Sequence, residues 1–119
     1  MPYIYDIDFF MTFAKTTIFS DKQQTLAKYA KAMSHPARIA IMELLAQKTM
    51  CISGDISSEL PLSRSTVSQH LQELKNLGII QGEVSGLNVC YCLDNEVINE
   101  ISIVFSGLFT SLLEVKEVV

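Results

Sequence analysis

A helix delimited at both ends, running from Ser63 just after Pro61 to Gly78, limits the folds open to this chain more than any other stretch. Val67, Leu71 and Leu74 recur at helical spacing, so at about 100° per residue they fall on one narrow arc. Ser63 stands where a hydroxyl can accept a bond from a first-turn amide, and Gly78 where helices commonly end in a left-handed residue. Opposite the apolar arc lie Ser65, Gln69, Gln72 and Asn76, with Ser68 and Lys75 on a flank. Exposed helices usually mix Glu with Lys, which are better helix formers. Amides and hydroxyls instead supply donors and acceptors at short reach. Gln and Asn match the adenine edge in a major groove, Ser and Thr suit bases or phosphates, and Arg suits guanine or phosphate. A polar face that is merely low in charge is the plainer alternative.

The neighbours of this helix favour the nucleic-acid reading. Upstream, Ser53 to Leu60 has a cap, an acid in its first turn and apolar Ile56 and Leu60, which predicts a short helix ended by Pro61. Downstream, Ile79 to Val84 and Asn88 to Leu93 are β-branched or aromatic runs separated by Ser85-Gly86-Leu87, the pattern of a hairpin. Helix, turn, helix and hairpin in that order predict a mainly α (α+β) winged helix-turn-helix with a two-stranded wing.

Three segments in the right order carry a family resemblance. Ser34-His35-Pro36-Ala37-Arg38 opens a helix, Leu62-Ser63-Arg64-Ser65-Thr66-Val67-Ser68-Gln69-His70-Leu71 forms the second helix of the motif, and Val89-Cys90-Tyr91-Cys92-Leu93 ends the wing. From about Ser20 to the C-terminus the chain resembles the ArsR/SmtB family of bacterial transcriptional repressors. The resemblance implies a homodimer on double-stranded DNA, with helices at both ends of the domain forming the dimer contact. It adds Arg64 and Thr66 to the contacts read from the helix itself, which are Ser65, Ser68, Gln69, Gln72 and Lys75. The wing tip, Ser85 to Asn88, is expected to graze the minor groove or backbone.

With 119 residues, 49% hydrophobic and 18% charged, the chain is expected to form one compact soluble domain. No run of eighteen apolar residues occurs and Asp6 and Asp8 interrupt the N-terminal apolar segment, so a cytoplasmic protein without a membrane span is expected. Three cysteines point to reduced thiols instead of a disulfide framework. The net charge of -4 runs against the basic footprint usual for DNA binders. Its distribution softens the objection: five acids (Asp94, Glu96, Glu100, Glu114, Glu117) lie from Asp94 onward, whereas Asp21 to Met50 holds five bases (Lys22, Lys28, Lys31, Arg38, Lys48) and two acids (Asp21, Glu43).

Residues 1–19 form an aromatic-rich extension, with Tyr3, Tyr5, Phe9, Phe10, Phe13 and Phe19, and Asp8 could cap a helix through it. Residues 20–119 form the winged-helix domain. Ser20-Asp21-Lys22-Gln23 reads as a capping box that begins a helix to Met33, and Pro36 suits the first turn of the next. His35 fits a structural place at that helix entrance, and Arg38 either a phosphate contact or a solvated surface. The last helix, about 95–118, is apolar over more of its circumference than one domain would cover, so a homodimer built on it and on the Asp21–Met33 helix is expected. Gly107 suits close approach of another backbone.

What such a regulator senses is open at this level. Many members of the family hold a metal through a Cys-x-Cys pair or through acids and histidines on the last helix. Here Cys51-Ile52-Ser53 has one thiol, and the last helix has neither His nor Cys. Cys51, Cys90 and Cys92 could still form a thiol site for a soft metal or arsenite; against it, Val89, Tyr91 and Leu93 should face the core and turn Cys90 and Cys92 outward. No cofactor is otherwise expected. His70 stands between a half-buried place and a phosphate contact. An enzyme is disfavoured, because His35 and His70 are far apart in sequence and neither has an acid placed to orient it. A winged helix used only for protein contact is the competing class.

Overall fold

The computed structural model describes residues 18–47, 56–85 and 88–114. Seven elements follow one another: α1 (Asp21–Ala32), α2 (Pro36–Gln47), α3 (Ile56–Glu59), α4 (Arg64–Asn76), β1 (Ile80–Ser85), β2 (Asn88–Leu93) and α5 (Asn95–Leu113). The mainly α winged helix-turn-helix expected from the residue order is therefore present. The aromatic segment before Ile18, Cys51 and the loop residues 86–87 lie outside the described residues.

Local chemistry sets each boundary. Ser20 and Gln23 form the capping box reciprocally: the Gln23 amide donates to Ser20 Oγ at 3.1 Å, and the Ser20 amide donates to Gln23 Oε1 at 2.9 Å. Two of the orphan donors at the start of α1 are thereby satisfied. At the start of α2, Pro36 spends no amide, and the Ala37 amide donates to His35 Nδ1 at 3.0 Å. Ala37, Ile41 and Leu45 then recur every fourth residue and are buried.

Gly78, at φ 77°, stops α4. Its amide donates to the Lys75 carbonyl and the next amide, of Ile79, reaches back to the Leu74 carbonyl, both at 3.0 Å, the paired closure of a Schellman motif. A Cβ at this position would meet Val97 Cγ2 at 3.9 Å, an ordinary contact, so backbone conformation is the reason for glycine here. Gly78→Ala is expected to cost about 1–2 kcal/mol from the left-handed backbone alone. Urea denaturation checks this; no loss would mean that the turn relaxes without strain.

The wing is an antiparallel pair with Ile80 opposite Leu93, Gln81 opposite Cys92, Glu83 opposite Cys90 and Ser85 opposite Asn88. β1 thus extends one residue further than the sequence reading placed it. Gly82 lies against Tyr91, whose ring carbons would stand 3.1 and 3.3 Å from an added Cβ. Tyr91 and Leu93 pack on the core, as period two requires, but Val89 remains 37% exposed although it shares their face. Val89 lies toward the loop end of the strand, away from the described core.

The core gathers Tyr29 and Ala32 of α1, Ile41 and Leu45 of α2, Ile56 of α3, Val67, Leu71 and Leu74 of α4, Ile79, Ile80 and Ile101. Asp94 joins the wing to α5, accepting the Glu96 and Val97 amides at 3.1 and 3.2 Å on one oxygen and the Gln81 side-chain amide at 2.7 Å on the other. Val97, Ile98, Val104 and Phe105 lean on the core, and Tyr29 donates its hydroxyl to Glu100 at 3.3 Å. Gly107 and Leu108 are still half-buried, and exposure rises toward the end of the helix. Phe109, Leu112 and Leu113 are 55, 67 and 80% exposed.

The described helix runs to Leu113, with Glu114 extended, and the expected continuation to about 118 falls on residues outside the described ones. An acid at the negative end of the helix dipole, with no base in the last turn, gives that end no electrostatic support. An eighteen-residue window of this helix reaches a mean hydropathy of 1.4, so by length and composition alone the helix is apolar enough to cross a membrane, although Glu96 and Glu100 lie in it. Among the described residues an added Cβ at Gly107 would meet Lys22 Nζ, at 3.8 Å, and no second backbone.

Candidate nucleic-acid interface

Burial divides α4 as the periodicity predicts. Val67, His70, Leu71 and Leu74 point inward and are buried, while Arg64, Ser65, Ser68, Gln69, Gln72, Lys75 and Asn76 are exposed, with Thr66 between. The outer ridge of Ser65, Gln69, Gln72 and Asn76 is not covered by any other part of the described chain. Ser68, Lys75 and Arg64 flank it on one side and Glu73 on the other. One acid therefore stands beside the ridge, and two bases.

Side chains on the ridge are partly ordered by each other. Gln72 donates from Nε2 to Asn76 Oδ1 at 2.8 Å, one helical turn on, leaving the Gln72 carbonyl oxygen and the Asn76 amino group facing outward as acceptor and donor. At the N-terminus Ser63 accepts the Thr66 amide at 3.3 Å, donates to Thr66 Oγ1 at 2.9 Å, and lies 3.2 Å from Ser65 Oγ. Three hydroxyls thus cluster at the positive end of the helix, where phosphate oxygens are favoured. Chemically the surface can donate and accept along a groove floor with a cation at each end.

The wing enters this picture only through its backbone. Ser85 and Asn88 face each other at the last rung before the loop, which puts the expected wing-tip contacts at the open end of the hairpin. Cys90 and Cys92 are half-buried on β2 and share one face. Among the described residues no three His, Cys, Asp or Glu side chains gather as a metal site.

Arg38 and His70 occupy places that sequence reasoning did not foresee. Arg38 is half-buried and turns its guanidinium toward the protein. Its Nη1 donates to the carbonyls of Lys31 and Ala32, at 3.3 and 3.2 Å, and its Nε donates to His70 Nδ1 at 3.3 Å. His70 is 8% exposed, a polar side chain buried among apolar ones. Its ring centroid lies 4.5 Å from that of His35, with the planes tilted by 49°. Burial, then His35 and Arg38, hold the His70 imidazole below the ordinary histidine pKa, and Glu73 opposes them. No local signal could have found this cluster, because its members are 32 residues apart in sequence.

A family model described as "Bacterial regulatory protein, arsR family" matches residues 35–81, the span from His35 through α4 into β1. The HTH-type transcriptional regulator YgaV of Escherichia coli is 33% identical over 75 residues, 63% of this chain and 76% of that protein. A transcriptional repressor SmtB homolog of Synechocystis is 32% identical over 80 residues, 66% of this chain and 60% of the relative. Among solved structures, the homodimeric winged helix-turn-helix DNA-binding domain of Mb0332 from Mycobacterium bovis superposes with a TM-score of 0.59 at 23% identity, covering 82% of this chain and 89% of that one. At that identity the likeness speaks for the fold.

Proposed function

This chain belongs to the arsR family of bacterial regulatory proteins and is a DNA-binding transcriptional regulator, and from that premise we propose that it acts as a homodimeric repressor whose two α4 helices read the halves of an inverted repeat. The uncovered amide and hydroxyl ridge of α4, seated on a fully buried apolar stripe, carries the reading. Residues 20–119 form the working unit, and residues 1–19 extend it. Ser65, Ser68, Gln69 and Gln72 face base edges, while Arg64, Thr66 and Lys75 take phosphates. Ser85 and Asn88 bring the wing to the backbone.

A second copy supplies what α5 lacks. Phe109, Leu112 and Leu113 stand exposed toward the end of the helix, and a two-fold partner presenting the same helix would cover them. The SmtB homolog is a named repressor and the Mb0332 domain a homodimer, which supports the same arrangement here. With nine bases against thirteen acids, salt dependence should be shallow, since few phosphates are neutralised.

Gel shifts with the chain's own upstream DNA test the proposal. Gln69→Ala should relax preference at one base position by about 1–3 kcal/mol, whereas Arg64→Ala should weaken binding to all sequences alike. Uniform loss from both changes would contradict the division of roles. Failure of the unaltered protein to bind at low salt would remove the reading altogether.

A further inference from the structure

The cluster formed by His35, Arg38 and His70 joins three elements that a DNA-binding switch would have to coordinate. Arg38 rests its guanidinium on the last carbonyls of α1, where a cation also meets the negative end of the helix dipole. From there it donates to His70, which projects from the inner side of α4, directly behind the ridge. His35, at the mouth of α2, packs its ring beside His70 and accepts the Ala37 amide.

Hydrogen bonding in the cluster is decided by protonation. His70 Nδ1 accepts from Arg38, so that nitrogen carries no proton and the ring is neutral, while His35 Nδ1 faces the Ala37 amide. An imidazolium has no lone pair to offer. A proton on His70 would turn its acceptor into a donor facing the Arg38 Nε–H, and would set a buried cation beside the half-buried guanidinium of Arg38. Arg38 has the Lys31 and Ala32 carbonyls to stay with. His70 has no such alternative, so the strain falls on α4.

We propose that His35, Arg38 and His70 form an acid-sensitive latch that seats the recognition helix while the His70 imidazole is neutral and releases it when His70 is protonated. Arg38 and His70 act as positioning residues, holding α4 without touching DNA. The ionisable groups that act on His70 are His35 and Arg38 from the entrance and first turns of α2 and Glu73 from its own helix; the first two oppose its protonation and the carboxylate is the weaker counterweight. The sign follows from linkage. A histidine held below its unfolded value of about 6.5 stabilises the fold fully above that pH, and the contribution is lost as pH falls through the lower folded value. Acid ordinarily tightens DNA binding by adding positive charge, so a latch of this kind predicts the opposite trend.

The inference rests on the DNA-binding reading, and the experiment separates their failures. Binding to upstream DNA is measured by fluorescence anisotropy at about pH 7.5 and about pH 5.5 at constant ionic strength, for the unaltered chain and for His70→Asn, whose Oδ1 can accept from Arg38 but cannot titrate. The unaltered chain should bind about tenfold or more weakly at the acid pH, and His70→Asn should change by less than about threefold. Imidazole proton resonances of the unaltered chain provide a readout independent of folding of the variant: His70 should titrate below the ordinary histidine value, over the same pH range in which binding is lost. Equal or tighter binding in acid, an equally acid-sensitive variant, or a His70 that titrates away from the binding transition would each overturn the latch. No binding at either pH would instead overturn the function on which it rests.

Discussion

Leu74→Ala is expected to lower the unfolding free energy by about 2–5 kcal/mol, the range for emptying a fully buried leucine site. Leu74 has no exposed surface and lies at the centre of the α4 stripe, in a cluster with Ile41, Ile79 and Ile80. Its carbonyl also closes the helix end by accepting the Ile79 amide, so the backbone there is held on both sides and cannot readily collapse into the space left behind. Since a domain of this size has only about 5–15 kcal/mol in total, such a loss removes a large share of it. DNA binding should fall with the folded fraction and not through any lost contact, because the side chain faces away from the ridge. Urea denaturation of Leu74→Ala beside the exposed Gln72→Ala, which should shift stability by no more than about 0.5 kcal/mol, checks the point. A loss under about 1 kcal/mol for Leu74→Ala would mean that the α4 stripe is not the packed centre of the domain.

Leu112→Asp is expected to abolish dimerisation at micromolar concentration and to cut affinity for an inverted repeat by two orders of magnitude or more. Leu112 is 67% exposed in the single chain, so the substitution should leave the stability of the isolated domain almost unchanged. In a two-fold dimer it is lost twice. Burying one leucine contributes about 1.5–3 kcal/mol, so two sites together account for roughly 3–6 kcal/mol before the added cost of dehydrating a carboxylate. That corresponds to at least about a hundredfold in the dimer constant, and a monomer can grip one half-site only. Sedimentation velocity and gel shift on the same sample decide it. If the unaltered chain sediments as a monomer, or the variant remains a dimer with full affinity, the end of α5 is not the contact between copies.

The two changes act at opposite ends of the architecture, which is why their expected signatures differ: one should move stability and binding together, the other binding and assembly without stability. Their contrast with His70→Asn is equally plain, since that variant should move only the response to pH.

Much of the fold was legible before any coordinates. Ser20 with Gln23, Ser63 and Gly78 carry their instructions within a few residues, because caps and left-handed turns are local hydrogen-bond problems, and the structure places α1 and α4 where those signals put them. The inward stripe of α4 and the exposed ridge opposite it follow from period alone. The error arose toward the loop end of the wing. Val89 has the right parity for the core yet stays exposed, since pattern cannot say how far the rest of the domain extends beneath a strand.

The sequence by itself determined the order of helices and wing, the polar ridge left exposed on α4 and the apolar surplus of the last helix, all of which depend on spacings shorter than about two helical turns. Only the tertiary structure decided the company of Arg38 and His70. A guanidinium has five donors and can satisfy them on water, phosphate, carbonyls or an imidazole, and the choice among these is made by a neighbour 32 positions away and by two carbonyls at the end of another helix.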